Sequence, residues 1–421
     1  MILKEKRHML QIYVKNENCT GCGACAANCH HLTMTMDDEG FRYPQIDPAG
    51  CNSCGQCRQI CPMSADNKTE IRQHPGPVNM DFLAQSEYPQ VFAAWNKNDA
   101  VRKESSSGGV FSLLANQVIA AGGLVVGAGF TDDLQLRHME VDRIEELQSL
   151  RGSKYLQSNA GDIFVNIKTA LLENRQVFFT GTPCQVAGLE SFLNHTHEGL
   201  ITCDLVCHGV PTEKLFRKYI KESEVEHGGK AIAVSFRSKK AGWKRFSVKI
   251  DFDNGCVSEM PLDQDRFMRL FLADLCLRPS CYCCPFATIP RQGDISLADY
   301  WGVTAAHPGI DDDRGVSLIL VNTEKGADRF QRLEKDMIMH PSDLARAVAC
   351  NPCVIRPVHL NTERNSFMQD VDRLTLDQLI QKYAGSPSWV SRRYMSARKI
   401  LSRAKRKTIN IFKMGANQVC L

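Results

Sequence analysis

No run of eighteen consecutive apolar residues occurs anywhere in the 421-residue chain, so no membrane-spanning helix is expected. The segment from Met1 to Val14 has no continuous apolar core of the kind a secretory signal carries. The net charge is only +4, too small to argue for a nucleic-acid partner. No cysteine triplet has the C-x3-C-x2-C spacing of radical-SAM enzymes, and no G-x-G-x-x-G turn supports a dinucleotide fold. Disulfide scaffolds are short secreted domains, and this chain is long. The expected location is a reducing cytoplasm.

Hydrophobic content of 43% and charged content of 23% are ordinary for a globular protein with room for two or three domains. Nineteen cysteines are not ordinary. Eight fall in two matching runs, Cys19-Thr-Gly-Cys22-Gly-Ala-Cys25-Ala-Ala-Asn-Cys29 and Cys51-Asn-Ser-Cys54-Gly-Gln-Cys57-Arg-Gln-Ile-Cys61-Pro62. Both read C-x2-C-x2-C-x3-C, the ligand run of bacterial two-cluster ferredoxins. Three thiolates on one tight loop can serve three irons of a cubane, and the fourth, a helical turn further on, points to the other cluster. That logic pairs Cys19, Cys22 and Cys25 with Cys61, and Cys51, Cys54 and Cys57 with Cys29, as two 4Fe–4S clusters. Gly21, Gly23 and Gly55 suit loops that approach an inorganic core closely. Structural zinc, the alternative, usually takes its four ligands in two separated pairs. One departure is visible: His30 follows Cys29 where Pro62 follows Cys61.

The chain divides into four parts: a ferredoxin domain (1–65), a polar linker (66–88), a larger domain (89–345) and a helical extension with a basic tail (346–421). Gln11 to Val14 reads as a leader strand. Thr33–Met36, Asp37–Gly40 and Phe41–Pro44 read as strand, turn, strand. In the larger domain Val91–Trp95 is a buried strand. Ser105–Gly109 then opens a helix from Val110 to Ala121, an anion cradle or simply an N-cap. Gly122–Gly127 is a C-cap and strand, Arg151–Tyr155 a basic turn, and Ile163–Leu172 a further helical stretch. Val177–Thr180 and Leu200–Asp204 are strands ending in turns with reactive side chains, around Cys184 and around Cys207 and His208. Strands alternating with helices predict an α/β domain following an α+β ferredoxin module, with the site on strand-end loops. Phe236–Trp243 reads as a hairpin loop, and Cys276, Cys281, Cys283 and Cys284 form a second cysteine cluster. From Ser391 to Lys407 eight of seventeen residues are Arg or Lys, a solvated tail or a basic helix for peripheral contact with an anionic surface.

Several of these segments together resemble the beta subunits of hydrogenases and formate dehydrogenases that use the deazaflavin coenzyme F420. They are Ser107-Gly108-Gly109, Arg151–Tyr155, Gly181–Gln185, Asp204–Pro211, Phe236–Trp243, Cys281–Pro285, Asp294–Gly302 and Asn322-Thr323, in the family's order over roughly residues 90–330. The resemblance implies a flavin (FAD or FMN) and a third 4Fe–4S cluster. It implies cluster ligands Cys281 and Cys284 with Cys184 and Cys207, and rivals Cys283, Cys276 and Cys203. Ser107, Gly108, Gly109, Ser153 and Lys154 would meet the flavin phosphates. Arg151, Lys239 and Lys240 would meet the coenzyme's anionic tail, and His208 is either a proton donor at the flavin edge or a structural histidine.

A flavin accepts a hydride and releases its electrons singly, so a flavin domain joined to a two-cluster ferredoxin is chemically coherent. The expected function is electron transfer between reduced F420, or a related hydride donor, and an acceptor that is a redox partner protein or a small molecule. Two alternatives remain. One is a ferredoxin-type carrier or a cluster-stapled partner-binding protein without hydride chemistry. The other is a flavoenzyme using a different donor to reduce a small molecule or glycan precursor.

Overall fold

The computed structural model describes residues 18–64, 86–161 and 163–385. The leader strand at 11–14, linker residues 66–85 and the basic segment 391–407 lie outside them.

The cysteine runs each lead into a short helix, α1 (Ala24–Asn28) and α2 (Gln56–Gln59), capped by Gly23 at φ 88° and Gly55 at φ 76°. Both angles are left-handed, where a Cβ would be strained. Between the helices, β1 (Leu32–Met36) and β2 (Arg42–Ile46) pair antiparallel from Leu32↔Ile46 to Met36↔Arg42. Asp37 closes the turn by accepting the Phe41 N–H at 2.8 Å.

The larger part opens with β3 (Gln90–Asn96), α3 (Asp99–Glu104) and α4 (Val110–Ala120). There follow β4 (Leu124–Phe130), β5 (Leu136–Val141), α5 (Ile163–Leu172), β6 (Val177–Gly181), α6 (Pro183–Leu193), β7 (Leu200–Leu205) and α7 (Glu213–His227). Then come β8 (Ala231–Ser238), β9 (Ser247–Phe252), β10 (Val257–Pro261), α8 (Arg266–Leu272), β11 (Ile295–Asp299), β12 (Ser317–Val321) and β13 (Met337–Ser342). One sheet of eight strands runs β13-β3-β12-β11-β7-β6-β4-β5. Its four middle strands, β11, β7, β6 and β4, are mutually parallel, and the outer strands pair antiparallel.

The middle strands are covered on both faces, which is why Val177–Thr180 reads as an unbroken apolar run rather than an alternation. Leu113, Leu114 and Val118 of α4 join Phe178 and Ile201 in one core. Ile163, Phe164 and Ile167 of α5 join Phe179, Val186 and Leu189 in another. The buried positions of α5 recur three and four residues apart, the spacing of a single apolar helix face.

A smaller antiparallel sheet, β10-β9-β8, packs with α7, α8 and the helices Arg364–Asp370 and Leu376–Leu379 around Phe216, Phe267 and Phe367. The loop read at Phe236–Trp243 starts later than expected. Phe236 and Arg237 belong to β8, because the Phe236 ring is buried in this core and an irregularity between Ser235 and Ser238 lets the strand continue.

The cysteine module docks directly on the large sheet's helices. A Cβ on Gly188 of α6 would lie 2.9 Å from Cys22 Cβ, so only glycine allows this approach. Gln157 Nε2 donates to the Thr20 carbonyl at 2.7 Å, and Arg364 pairs with Glu39 at 2.6 Å. A cavity of about 360 Å³ remains at the junction, between Phe41, Arg42, Leu156 and Phe216.

Under the sheet Arg291 and Asp204 form an ion pair at 2.6 Å with both side chains fully buried. Asp204 also accepts the Gly293 N–H at 2.8 Å, tying β7 to the segment that leads into β11. Removing one member of such a pair leaves a buried charge uncompensated. Asp204→Ala is expected to lower stability by about 3–5 kcal/mol. Anaerobic chemical denaturation measures this, and a loss below about 1 kcal/mol would place the strength of the sheet elsewhere.

Candidate redox site

The twelve cysteines singled out by sequence fall into three neighbourhoods. Cys19, Cys22, Cys25 and Cys61 are buried at the seam with the large domain. Burial pushes the Cys22 thiol well above its usual value, and Cys61 and Cys25 beside it push it further. The Gly21 N–H donates to Cys19 Sγ and the Met63 N–H to Cys61 Sγ, each at 3.4 Å. The second neighbourhood faces outward: Cys54 is exposed, and Cys29, Cys51 and Cys57 are half-buried. Burial raises the Cys57 thiol, and Cys29, Cys51 and Cys54 add to the shift. The last cysteine of each run therefore stands with the other run.

The third neighbourhood is built by the sheet. β6 and β7 are parallel, with Gly181 opposite Asp204, so their carboxyl ends open at one edge. Cys184 begins α6 just past β6, where Thr182 caps the helix and its Oγ1 lies 3.2 Å from Cys184 Sγ. Cys207 follows β7. The segment holding Cys281 and Cys284 is fastened to the same loop. The Arg278 N–H donates to the Val210 carbonyl at 2.8 Å, and the Val210 N–H donates to Cys281 Sγ at 3.4 Å.

Burial raises the Cys207 thiol well above its usual value, followed by the effects of Cys281, Cys184 and Cys284. Burial likewise pushes Cys281 up to about 11 and Cys284 up to about 12. Thiols of this kind keep their protons until a cation displaces them. Among the described residues no group of three His, Cys, Asp or Glu side chains encloses a position for one metal ion. The thiols of each set stand close enough to influence one another, and four neighbouring thiols are the donor set a 4Fe–4S cubane takes.

Two of the three rivals for the third set point elsewhere. Cys276 is buried beside Leu275 and Leu277 in the small-sheet core. Cys203 faces the apolar core between Ile201 and Ile295. Cys283 is exposed beside the group, near enough to influence Cys281.

The polar residues named for a flavin gather largely around Ser106 and Ser107. The Ser153 N–H donates to Ser106 Oγ at 2.6 Å, and Arg237 donates to the Ser106 carbonyl at 3.2 Å while pairing with Asp299 at 2.6 Å. Lys239 Nζ donates to the Ser107 carbonyl at 3.1 Å and to two further carbonyls, of Arg102 and Arg314. Lys154 Nζ donates to the carbonyls of Ser149 and Arg151. Arg151 reaches Ser112 and Glu104.

Gly108 has a packing role. Its N–H donates to Ser317 Oγ at 3.0 Å, and a Cβ there would stand 2.4 Å from the Ala94 carbonyl oxygen. Gly109, at φ 82°, caps α4. Lys240 points away toward Glu259 and is 81% exposed. Burial lowers Lys154 to about 7. Burial, then the charges of Arg237 and Arg102, lower Lys239 to about 8. Arg237 Nε is buried with no acceptor among the described residues. Cations held by backbone carbonyls, beside an unpaired buried donor, fit an anionic phosphate group.

His208 links the two regions. Its Nε2 lies 2.6 Å from Asp274 Oδ1, its Nδ1 lies 3.9 Å from Cys353 Sγ, and its ring meets Phe271 edge-on at 5.2 Å. Phe271 in turn lies 5.3 Å from Tyr155, which contacts Arg237. Burial opposes the imidazolium, but Asp274 and Cys353 outweigh it and raise His208 to about 9. Asp274, Cys353 and Arg278 were not singled out from sequence, since none sits in a spacing pattern. Only their proximity in the fold marks them.

Residues 18–65 match the 4Fe-4S dicluster domain, so the N-terminal module is an iron–sulfur domain. Residues 174–346 match the family described as coenzyme F420 hydrogenase/dehydrogenase, beta subunit (C terminus). The chain is thus similar over residues 18–65 to a dicluster domain and over residues 174–346 to the C-terminal part of the F420 hydrogenase/dehydrogenase beta subunit.

Curated relatives match over short stretches. The DNA-directed RNA polymerase subunit Rpo3 of Methanosarcina mazei is 37% identical over 49 residues, 12% of this chain and 18% of that protein. A component of the Na(+)-translocating ferredoxin:NAD(+) oxidoreductase complex of Acetobacterium woodii is 39% identical over 46 residues, 11% of this chain and 13% of that component. The chain therefore spans less than a fifth of the length of these relatives. Among solved structures, a chain of the F420-reducing NiFe hydrogenase complex from Methanosarcina barkeri aligns over 70% of this chain and 92% of that one. Its TM-score is 0.43, at 15% identity. Among the described residues no helix is long and apolar enough to cross a membrane.

Cys203→Ala and Cys276→Ala are expected to retain the iron content of the parent protein while losing some stability, because both thiols fill core space. Iron analysis on anaerobically purified variants checks this, and loss of about four irons from either would move that residue into a cluster set.

Proposed function

We propose that the protein is an iron–sulfur flavoprotein oxidoreductase that passes electrons between a hydride donor, of which reduced F420 is the first candidate, and a redox partner. The observation that carries this reading is the grouping of Cys184, Cys207, Cys281 and Cys284 at the carboxyl ends of two parallel strands, with Cys184 on the helix that also touches Cys22. In this reading Cys19, Cys22, Cys25 and Cys61 hold an inner cluster, Cys51, Cys54, Cys57 and Cys29 an outer one, and the sheet-edge cysteines a third. When bound, the clusters would carry single electrons and a flavin would exchange a hydride for two of them.

The chain's own side chains set the order. The partly exposed outer cysteines face a partner, the inner ones lie against α6, and Cys184 starts that helix. Ser106, Ser107, Ser153, Lys154, Arg237 and Lys239 would bind the flavin phosphates, replacing bonds they now make to one another and to carbonyls. Tyr155, Phe271 and His208 would span from there to Cys207 and hold a proton on the imidazole. In domain terms, residues 1–65 deliver electrons to the outside and residues 89–345 hold the hydride site.

Iron, sulfide and flavin analysis on anaerobically purified protein is expected to give about twelve irons and one flavin per chain, with about four irons lost in Cys281→Ser or Cys284→Ser. About eight irons and no flavin would reduce the protein to a carrier. Donor specificity follows from comparing flavin reduction by reduced F420 and by nicotinamide donors.

Flavin binding should also be coupled to proton uptake. Lys154 and Lys239 are held low, at about 7 and about 8, and an anionic phosphate would favour their charged forms. Affinity is then level below pH 7 and weakens as pH rises from 7 to 9, where binding must draw protons from solution. Titration calorimetry in buffers of different ionisation enthalpy measures this uptake. A pH-independent affinity would remove both lysines from the phosphate site.

A further inference from the structure

Arg278 is fully buried, and its side-chain hydrogen bonds among the described residues include no carboxylate. Its Nε donates to the Cys19 carbonyl at 2.8 Å, Nη1 to Gln157 Oε1 at 3.0 Å and Nη2 to the Arg42 carbonyl at 2.7 Å. Nη2 also stands 3.8 Å from Cys19 Sγ. The guanidinium lies over the Tyr43 ring at 4.3 Å and toward Phe41 at 5.7 Å. Every partner is a neutral oxygen, an aromatic face or a cysteine sulfur. A buried guanidinium compensated by neutral groups alone is costly, and arginine does not shed its charge. Its counter-charge must come from something else at the same place.

The anionic candidates are the cysteine sets. Arg278 reaches into the first set through Cys19, while its own backbone is fastened beside the third set through the Val210 carbonyl. Its positive charge acts on both Cys184 and Cys281. In the outer set the main influences on Cys57 are burial and the thiols of Cys29, Cys51 and Cys54, with no arginine among them. A fixed cation raises the reduction potential of a nearby centre, because each added electron makes that centre more negative.

We propose that Arg278 is a positioning residue whose fixed charge raises the reduction potential of the inner cluster at Cys19 and offsets the negative charge of the third cluster. It thereby makes the inner cluster a better electron acceptor than the outer one and binds the N-terminal module to the body in a cluster-dependent way. This rests on the cluster assignments proposed above.

The test is potentiometric titration followed by electron paramagnetic resonance, with the inner-cluster signal identified by its change in Cys19→Ser. In Arg278→Gln the reduced-to-oxidised ratio of that signal at a fixed potential should fall about tenfold, a 59 mV shift for a one-electron couple. Arg278→Lys keeps the charge and should recover most of the shift. Gln157→Glu leaves the arginine in place but puts a carboxylate on Nη1, and should lower the ratio as Arg278→Gln does. It decides the matter if Arg278→Gln fails to retain iron. The outer-cluster signal should stay put in all three.

An inner-cluster potential unchanged in Arg278→Gln and in Gln157→Glu, at parental iron content, would overturn the proposal. So would a shift in Arg278→Gln that the lysine does not recover and the glutamate does not reproduce, since that pattern belongs to packing. Parent protein without two-cluster iron would instead defeat the cluster assignments themselves.

Discussion

Parallel pairing of β6 with β7 is the constraint on which the rest of the site depends. Because both strands run the same way, the residues that follow them leave the sheet at one edge, and Cys184 and Cys207 meet there. Antiparallel strands of five or six residues would separate the same positions by the strand length, on the order of 16 Å. The loop after β7 then pairs with the segment before Cys281 through Pro211↔Leu277, which brings the remaining cysteines in. Parallel strands in turn require covering helices on both faces, so α4 on one side and α5 with α6 on the other belong to the same solution.

What could be read from the sequence was whatever is encoded locally. The two cysteine runs carry their own spacing, and the turn between β1 and β2 carries its own Asp and Gly. The middle strands announce themselves as apolar runs because both their faces are buried. Cys184 and Cys207 were legible because each follows such a run. The choice among Cys203, Cys276, Cys283 and the ligand candidates was not legible, since it depends on which way a side chain faces in the finished sheet. Cys203 points into an apolar core, while Asp204, next in the chain, meets a buried arginine. Arg278 was beyond reach for a different reason. Its contact with Cys19 spans 259 positions, and nothing in the surrounding Leu-Arg-Pro-Ser suggests an anion partner.

The two polar regions of the edge differ in how they carry charge. Around Ser106 and Ser107, lysines and arginines rest on carbonyl oxygens, an arrangement an incoming anion can displace. Around Arg278 the cation sits among sulfur, aromatic faces and neutral oxygens. The first suits a ligand that arrives and departs, the second a centre assembled once and kept. His208, between Asp274 and Cys353, stands where the two meet.

Helix α6 carries Cys184 in its first turn and Gly188 four residues on, so both lie on one face of the same helix. One touches the sheet-edge group and the other touches Cys22, and the two are a little over one helical turn apart, about 6 Å along the axis. The helix therefore acts as a gauge block: it sets the gap between two redox neighbourhoods by its pitch rather than by the compliance of a loop. A single inserted residue between these positions would swing one of them by about 100° around the axis, so the gap tolerates substitution on the outer face of α6 but not a change in its count.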